Sequence, residues 1–176
     1  IVGSAPSGHT AGYFLAKKGH RVVIFEAAAE PGGMLRLGLP PYRLPKHTVD
    51  RDIKNVTALG VEIRPGVTIE SISKLRAEGY DAVFLGVGAA VSKRLGIEGD
   101  ELHGIVGGIE FLIAAHAGGS FDIAGKHIAV IGGGNVAIDV ARTARRLGAA
   151  SVAIVYRRTR EEMPAAREEI HDALAE

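Results

Sequence analysis

The stretch HIAVIGGGNVAIDVARTARRLGAASVAIVYRR, residues 127–158, constrains the fold of this chain more than any other. Its short β-branched run, Ile128–Ile131, predicts a fully buried parallel strand, and three glycines follow it directly. The next residues predict a helix with one apolar stripe that ends at Gly148. A second strand is predicted at Val152–Tyr156. This order of strand, glycine turn, helix and strand predicts a Rossmann-like dinucleotide-binding unit.

The spacing of small residues indicates how this turn would accept a pyrophosphate. Gly132, Gly134 and Ala137 match the pattern G-x-G-x-x-A. Gly132 would allow the tight turn, Gly134 would allow close approach of the ligand, and Ala137 would let the helix pack on the strand. The helix N-terminus would add free amides and a favourable dipole.

Two arginines at the end of the second strand indicate which nucleotide this unit would prefer. A unit that binds NAD has an acidic residue there for the ribose 2′-hydroxyl, whereas this chain has Arg157 and Arg158. Two guanidinium groups would clamp a 2′-phosphate, which predicts NADP. The alternative is that both are ordinary solvent-exposed arginines.

Residues 1–27 repeat the same layout with a different sequence. Gly3 and Gly8 take the first and third glycine positions, and Ala5 takes the second. Glu26 ends the second strand, where a carboxylate would bind ribose hydroxyls, so this unit predicts FAD or NAD. The alternative is a Rossmann-like unit that has lost its ligand, because the methyl group of Ala5 lies where backbone and pyrophosphate approach most closely.

A loop rich in glycine and proline, residues 30–45, follows that strand. It is predicted to lack helical structure, and long loops inside compact domains are usually functional. Gly32 and Gly33 would allow close approach to a cofactor. Arg43 would meet a phosphate or the flavin edge, or else be a solvated loop arginine.

The rest of the first half predicts helices alternating with strands. Helices are predicted at Lys46–Leu59 and Ser71–Glu78, and a short strand is predicted at Val61–Arg64. Asp81–Leu85 predicts a buried strand that runs into a glycine-rich loop. This loop, with Gly88, would then lie at the nucleotide crevice, although packing alone would also explain its glycines.

The second half of the chain begins with a weaker pattern. Frequent glycines over residues 92–125 indicate a crossing between domains, with a helix near Ile109–His116. The predicted boundary separates residues 1–98 from residues 99–176. A last helix is predicted to begin at Pro164.

Composition narrows the possible partners. The net charge of +1, with mixed signs, gives no footprint for nucleic acid or an anionic membrane. There is neither an apolar run that would span a bilayer nor a signal peptide. Only Ile1 and Val2 precede the first glycine turn, which predicts a fragment cut inside its first strand.

The sequence predicts neither a metal site nor a catalytic constellation. The seven histidines show no metal-ligand spacing, and no local motif assembles a nucleophile, a base and an orienting group. The absence of cysteine excludes a disulfide, iron-sulfur ligands and a redox-active cysteine pair within this stretch, and is in keeping with a cytoplasmic protein. Any chemistry would belong to bound cofactors.

Four stretches resemble one family, the small (β) subunit of NADPH-dependent glutamate synthase and its relatives. These relatives include the flavin and NADPH region of dihydropyrimidine dehydrogenase and the NADPH-binding subunit of ferredoxin:NADP transhydrogenase. The stretches are FEAAAEPGGMLRLGLPPYRLP, GYDAVFLGVGA, AVIGGGNVAIDVARTARRLGA and VYRRTREEMPA. The resemblance implies an incomplete fragment of a larger α/β flavoprotein, in which an FAD-binding domain is interrupted by an inserted NADPH-binding domain.

Spacing and resemblance together give the predicted cofactor contacts. Those for FAD are Gly3, Ser4, Ala5, Pro6, Ser7, Gly8, Glu26, Gly32, Gly33, Met34, Arg43, the backbone near Ile69, and Gly88. Those for NADPH are Gly132, Gly133, Gly134, Asn135, Val136, Arg157 and Arg158. The chain departs from the family at Ala5, usually glycine, and at Ser7, usually alanine.

The resemblance also implies a mechanism. A hydride would pass from the NADPH nicotinamide to the flavin N5, and single electrons would then pass to iron-sulfur clusters outside this fragment, such as those of the glutamate synthase large subunit. Glutamate synthesis is the leading expectation. The alternatives are the same electron-input module serving ferredoxin or a pyrimidine, and a nucleotide-binding module that has lost its flavin.

Overall fold

The computed structural model describes residues 1–119 and 121–176, which form two compact units, Ile1–Ala90 (unit 1) and Val91–Glu176 (unit 2). Each unit contains a short parallel sheet with helices packed on it. The α/β class predicted from the sequence is therefore confirmed. The assignment of one FAD-binding and one NADPH-binding domain, with its boundary after residue 98, stays a prediction.

Unit 1 is built around one buried strand. Its elements are α1 (Pro6–Lys17), β1 (Val23–Glu26), α2 (Met34–Leu37), α3 (Lys46–Thr57), β2 (Glu62–Pro65) and α4 (Ile72–Ala77). β1 and β2 pair in parallel, with Ile24 opposite Ile63. Val2 adds single parallel bridges to Phe25 and to Leu85. The predicted helices and strand between residues 46 and 78 are thus present.

Helices cover both faces of β1, and all four of its residues are buried. On one face Ile24 packs with Val56 and Val61, and on the other Val23 and Phe25 pack with Leu75. A parallel strand that is buried on both faces is continuously apolar, as β1 is up to its last residue. The exception is the last residue, Glu26, a buried carboxylate whose hydrogen-bond partners lie in the glycine turn of unit 1.

The predicted buried strand Asp81–Leu85 is wrong. Phe84 and Leu85 are 43% and 53% exposed, and Leu85 forms only an isolated bridge. The segment is held by two hydrogen bonds, from the Val2 N–H to the Phe84 carbonyl at 2.9 Å and from the Gly86 N–H to the Val2 carbonyl at 2.8 Å. Among the described residues its pairing partner is the two-residue segment before Gly3, which is too short for a ladder.

The loop of residues 30–45 contains one helical turn, α2, which contradicts its predicted lack of helical structure. The Gly33 carbonyl accepts hydrogen bonds from the N–H groups of Arg36 and Leu37 at 3.0 and 2.9 Å. A single turn leaves no apolar period to read, so the sequence pattern could not reveal it.

Unit 2 has the predicted order of strand, glycine turn, helix and strand. Its elements are α5 (Gly108–His116), β3 (His127–Ile131), α6 (Asn135–Arg146), β4 (Ser151–Val155), a 3₁₀ turn (Arg160–Glu162) and α7 (Arg167–Ala175). β3 and β4 pair in parallel, with Ile131 opposite Val155. The helix predicted near residues 109–116 is confirmed as α5.

The prediction that β3 is fully buried is wrong. Val130 packs against Ala137 and Ala141 of α6, but Ile131 and its neighbour Val155 are 57% and 53% exposed. Successive residues of a strand point to opposite faces, and α5 and α6 cover only one face of this sheet in the part of the chain described. The apolar strand therefore has one buried face and one exposed face.

Helix α7 packs on the polar side of α6. Arg142 of α6 is only 7% exposed and forms ion pairs of 3.0 Å with Glu169 and 2.8 Å with Glu176. The hydrogen bond from Arg146 lowers the pKa of Glu176 to about 2, against the opposing effect of burial. The last helix was predicted to begin at Pro164, whereas α7 begins at Arg167.

Candidate dinucleotide-binding sites

The glycine turn of unit 1 is closed by contacts that only glycine permits. The Gly3 N–H donates to the Phe25 carbonyl at 2.8 Å, and Gly3 has a φ of +100°. A Cβ on Gly3 would overlap the carbonyl oxygen of Gly86, and a Cβ on Gly8 would overlap that of Gly3. The first and third glycines of the pattern therefore have the steric roles that their spacing predicts.

The N-terminus of α1 points out of this turn. Ala5 is the N-cap residue and provides no side-chain cap, and Pro6 is the first helical residue. The amides of Ser7 and Gly8 belong to the first turn, where a helix has no acceptors of its own. This end of α1 thus provides N–H groups and a positive dipole end, which suit a phosphate.

The methyl group of Ala5 lies beside Gly33. A Cβ on Gly33 would lie 2.7 Å from the Ala5 Cβ, and Gly33 has a φ of +55°. Gly32 joins the same cluster, since its N–H donates to the Ser4 carbonyl and to the Ser4 Oγ at 3.0 Å each. The missing side chain at Gly33 leaves room for the methyl group of Ala5.

Glu26, which is predicted to bind ribose hydroxyls, is held in place by hydrogen bonds from the glycine turn. Its Oε2 accepts hydrogen bonds from the Ser4 N–H at 2.9 Å and the Ser4 hydroxyl at 2.5 Å, and its Oε1 accepts one from the Ala28 N–H at 2.8 Å. Both Ser4 and Glu26 are buried. Burial alone would raise the pKa of Glu26, but the Ser4 hydroxyl and the backbone amides of Ala28, Ser4 and Ala27 together hold it below its usual value.

Ser4→Ala is expected to destabilise the protein by about 2 kcal/mol at neutral pH, since a hydrogen bond to a charged group contributes roughly 1.5 to 3 kcal/mol. A carboxyl group with a lowered folded-state pKa stabilises the fold above its unfolded pKa, about 4.3, and loses this contribution as the pH falls through its folded value. The difference between Ser4→Ala and the parent should therefore shrink below about pH 4. Urea unfolding at several pH values measures this, with the exposed Ser7→Ala as control. A difference independent of pH would contradict it.

Arg36 is a buried residue of this site that the sequence did not reveal. Its Nε donates to the Pro31 carbonyl at 2.7 Å, and its guanidinium group pairs with Glu30 at 2.9 Å and with Asp50 of α3. These bonds fix the loop that carries Gly32 and Gly33. Its partner Asp50 lies 14 residues away in the chain, so no local spacing pointed to the pair.

The other predicted FAD contacts lie around this cluster. Met34 is the first residue of α2, and the N–H of Arg43 donates to the Pro40 carbonyl at 2.9 Å. The side chain of Ile69 is partly buried against the core cluster that contains Phe25, and the predicted contact of its backbone with FAD stays a prediction. Gly88 has a φ of +70° and open space where a side chain would stand.

The glycine turn of unit 2 leaves room for a ligand. The Gly132 N–H donates to the Val155 carbonyl at 2.9 Å, and Gly132 has a φ of +144°. A Cβ on Gly134 would meet nothing within 4 Å. Gly134 is also the N-cap of α6 and provides no side-chain cap, and Val136 in the first turn is half-exposed.

Arg157 and Arg158 leave the sheet at the same edge as this turn. They follow β4 directly, and the register places the end of β4 opposite the end of β3, where the turn begins. Both side chains are exposed, and within residues 1–119 and 121–176 neither forms a hydrogen bond or an ion pair. Two exposed arginines therefore follow the strand whose end lies opposite the start of the glycine turn.

The predicted contact Asn135 has a different partner. Its side-chain oxygen accepts a hydrogen bond from the Ala166 N–H at 2.9 Å, and the neighbouring Ala165 N–H donates to the Gly133 carbonyl at 3.1 Å. The last helix does not reach back to Pro164 because Ala166, its N-cap, has an extended backbone with a ψ of 136°. The side-chain oxygen of Asn135 is thus engaged within the protein, and the groups that could donate to a pyrophosphate are its backbone N–H and its side-chain NH2.

A family model described as pyridine nucleotide-disulphide oxidoreductase matches residues 1–176. The chain belongs to this family. The description of this family mentions a disulphide, whereas the given sequence contains no cysteine. The two glycine turns, each followed by a helix and a strand, are the features of the chain that fit a pyridine nucleotide and a second dinucleotide.

Three curated relatives show how broad the resemblance is. The chain is 43% identical over its whole length to the NADP(+)-dependent formate dehydrogenase subunit beta of Moorella thermoacetica, and 44% identical over 94% of its length to the NADPH-Fe(3+) oxidoreductase subunit beta of Geobacter sulfurreducens. It is 35% identical over its whole length to the glutamate synthase (NADPH) small chain of Escherichia coli. The chain spans only 26%, 25% and 40% of these proteins.

The fold agrees with a solved structure of the same kind. FprA of Mycobacterium tuberculosis, solved in complex with NADPH, matches 99% of this chain with a TM-score of 0.82 and 26% identity, and the chain covers 46% of it. This likeness confirms the predicted fold, an α/β oxidoreductase module with two dinucleotide-binding units.

The described part of the chain contains neither a helix that could span a membrane nor a cluster of metal-binding side chains. Of the helices described, none combines the length and apolar character needed to cross a bilayer. Among the described residues, no cluster of three or more metal-binding side chains occurs. The predicted cytoplasmic location stays a prediction.

Proposed function

We propose that unit 1 binds FAD, that unit 2 binds NADPH, and that the whole protein is an NADPH-dependent flavoprotein reductase. The observation that carries this proposal is the opposite charge at equivalent strand ends. β1 ends in the carboxylate of Glu26, whereas β4 leads into Arg157 and Arg158. An acidic strand end suits a ribose with free hydroxyls, and a basic one suits a ribose 2′-phosphate.

The residues of unit 1 fit the adenosine and pyrophosphate parts of FAD. The free amides at the start of α1 would receive the pyrophosphate, and Glu26 would accept from the ribose. Ser4 and Arg36 would act indirectly, because Ser4 orients Glu26 and Arg36 fixes the loop that carries Gly32 and Gly33. The open space at Gly88 would face the same ligand.

The residues of unit 2 fit NADPH. The amides at the start of α6 and the open space at Gly134 would receive its pyrophosphate, and the two arginines would pair with its 2′-phosphate. The two cofactors, when bound, would supply hydride transfer, so the chain need only bind and orient them. No acid, base or nucleophile is assigned to it.

Several electron acceptors are candidates for this protein. Glutamate synthesis is the role that the motifs favour, with the glutamate synthase large subunit as the iron-sulfur partner. The relatives that share 43% and 44% identity are named for formate and for iron(III), however, and the glutamate synthase small chain shares 35%. We therefore propose an electron-input module for an iron-sulfur partner, with glutamate, formate and iron(III) chemistry as the candidates to be tested.

The full-length protein, expressed from its complete gene, is expected to show a flavin absorption band that bleaches with NADPH under anaerobic conditions and does not bleach with equimolar NADH on the same timescale. The reoxidation rate of the bleached protein on adding ferredoxin, iron(III) citrate, the partner subunit of a formate dehydrogenase or the glutamate synthase large subunit would then rank the acceptors. A colourless protein that FAD does not reconstitute would contradict the proposal and favour a nucleotide-binding module without flavin.

A further inference from the structure

A short segment, Thr159–Ala166, lies against the glycine turn of unit 2; we call it the strap. Its C-terminal end is joined to the turn by the two bonds already described, from Ala165 to the Gly133 carbonyl and from Ala166 to Asn135. Ala165 is buried at this junction. The strap thus crosses from the end of β4 back to the start of α6.

The N-terminal end of the strap is closed on itself. The Glu162 carboxylate accepts hydrogen bonds from the Thr159 N–H at 3.1 Å and from the Thr159 hydroxyl at 3.2 Å, which forms a capping box. Just before the arginines, the Tyr156 ring lies against Gly133, where a Cβ would come within 2.7 Å of a ring carbon. Arg157 and Arg158 therefore stand between two anchored residues, Tyr156 and Thr159.

We propose that the strap positions Arg157 and Arg158 for a 2′-phosphate, with Glu162 and Asn135 as its positioning residues. The inference rests on the proposed function, because it takes the arginine pair as the phosphate-binding group. The physical reason is that two long, exposed side chains lose conformational freedom when they bind, and a fixed backbone reduces this loss. Neither Glu162 nor the side chain of Asn135 needs to touch the nucleotide.

Glu162 provides a test because two explanations predict opposite signs. If its only influence were electrostatic, removing its negative charge near the arginines would strengthen the binding of an anionic phosphate. If it positions the arginines, removing it opens the capping box and weakens that binding. Glu162→Gln separates the two effects, since glutamine keeps an acceptor oxygen and completes a capping box without the charge.

In the full-length protein, Glu162→Ala is expected to raise the KM for NADPH about fivefold, with little change in kcat. The loss of a hydrogen-bonded cap of ordinary strength corresponds to a factor of this size. Glu162→Gln is expected to stay within about twofold of the parent. Glu168→Ala, which removes an exposed carboxylate from the first turn of α7, is the matched control and is expected to stay within about twofold. The KM for NADH should change less than about twofold in all three.

The inference would be overturned if Glu162→Ala lowered the KM for NADPH, left it unchanged, or raised the KM for NADPH and NADH equally. Hydrogen exchange gives a second readout, because residues 159–166 should exchange faster in Glu162→Ala while the remaining peptides stay as in the parent. Unchanged exchange there would also contradict it. A parent protein that does not distinguish NADPH from NADH would instead refute the proposed function, whatever Glu162→Ala does.

Discussion

Replacing Arg157 and Arg158 together by alanine is expected to weaken NADPH binding about a hundredfold and to leave NADH binding within about threefold. Charge-assisted hydrogen bonds contribute roughly 1.5 to 3 kcal/mol each, and the low end applies because both side chains are exposed. Two such bonds give about 3 kcal/mol, or roughly two orders of magnitude in affinity. Calorimetric titration of the full-length protein with NADP⁺ and NAD⁺ measures both constants.

A matched control separates this specific effect from a general loss of positive charge. Arg160 is an exposed arginine two positions beyond Arg158, and Arg160→Ala is expected to change NADP⁺ affinity less than about threefold. The parent should also lose NADP⁺ affinity as salt is added, and the double variant should lose much less. Equal losses of NADP⁺ and NAD⁺ affinity in the double variant would refute the assignment of unit 2 to NADPH.

Gly8→Ala is expected to destabilise the protein and to impair FAD retention, although alanine is the better helix former. The gain in helix propensity is at most about 1 kcal/mol. Against it, the new Cβ would overlap the Gly3 carbonyl oxygen, which belongs to backbone and cannot swing away as a side chain would. Overpacking costs about 1 to 3 kcal/mol, occasionally more, so the clash outweighs the gain. Thermal unfolding, together with the flavin content of the purified protein, checks both effects.

Gly134→Ala is the contrasting variant. Its φ of −90° suits alanine, and its Cβ would meet nothing within 4 Å. It should therefore unfold at the temperature of the parent while binding NADP⁺ more weakly, since the methyl group would occupy the space proposed for the pyrophosphate. Equal unfolding temperatures for Gly8→Ala and the parent would show that the turn of unit 1 yields more easily than its backbone contacts indicate.

The parts of the fold that depend on local patterns were predictable. In unit 2 this holds for the glycine turn, for the helix after it and for the glycine that follows that helix, because each is determined by its near neighbours in sequence. Gly148 has the expected positive φ of +92°. The N-terminus of α4 at Ser71 follows in the same way, because a serine cap bonds to a backbone amide three residues on. Element identity in such places needs no knowledge of the rest of the chain.

Burial was less predictable, because it depends on what packs from elsewhere. The apolar run of β3 does not indicate whether one face or both are covered, and within residues 1–119 and 121–176 only one face is covered. Arg142 lies off the apolar stripe of α6, yet it is buried because α7, more than 20 residues later, brings carboxylates onto it. The burial of Arg36 could not be predicted for the same reason, since its partner Asp50 is on another helix.

The ring of hydrogen bonds around Glu26 means that the acidic end of β1 is preorganised. A free glutamate side chain loses up to about 2 kcal/mol of rotamer entropy when it is fixed, and here Ser4 and Ala28 impose that loss during folding. A nucleotide that arrives at this edge would meet a carboxylate already in place, and its affinity need not include the cost of ordering it. Ser4 would therefore contribute to the affinity of unit 1 for its ligand even through bonds that lie wholly within the protein.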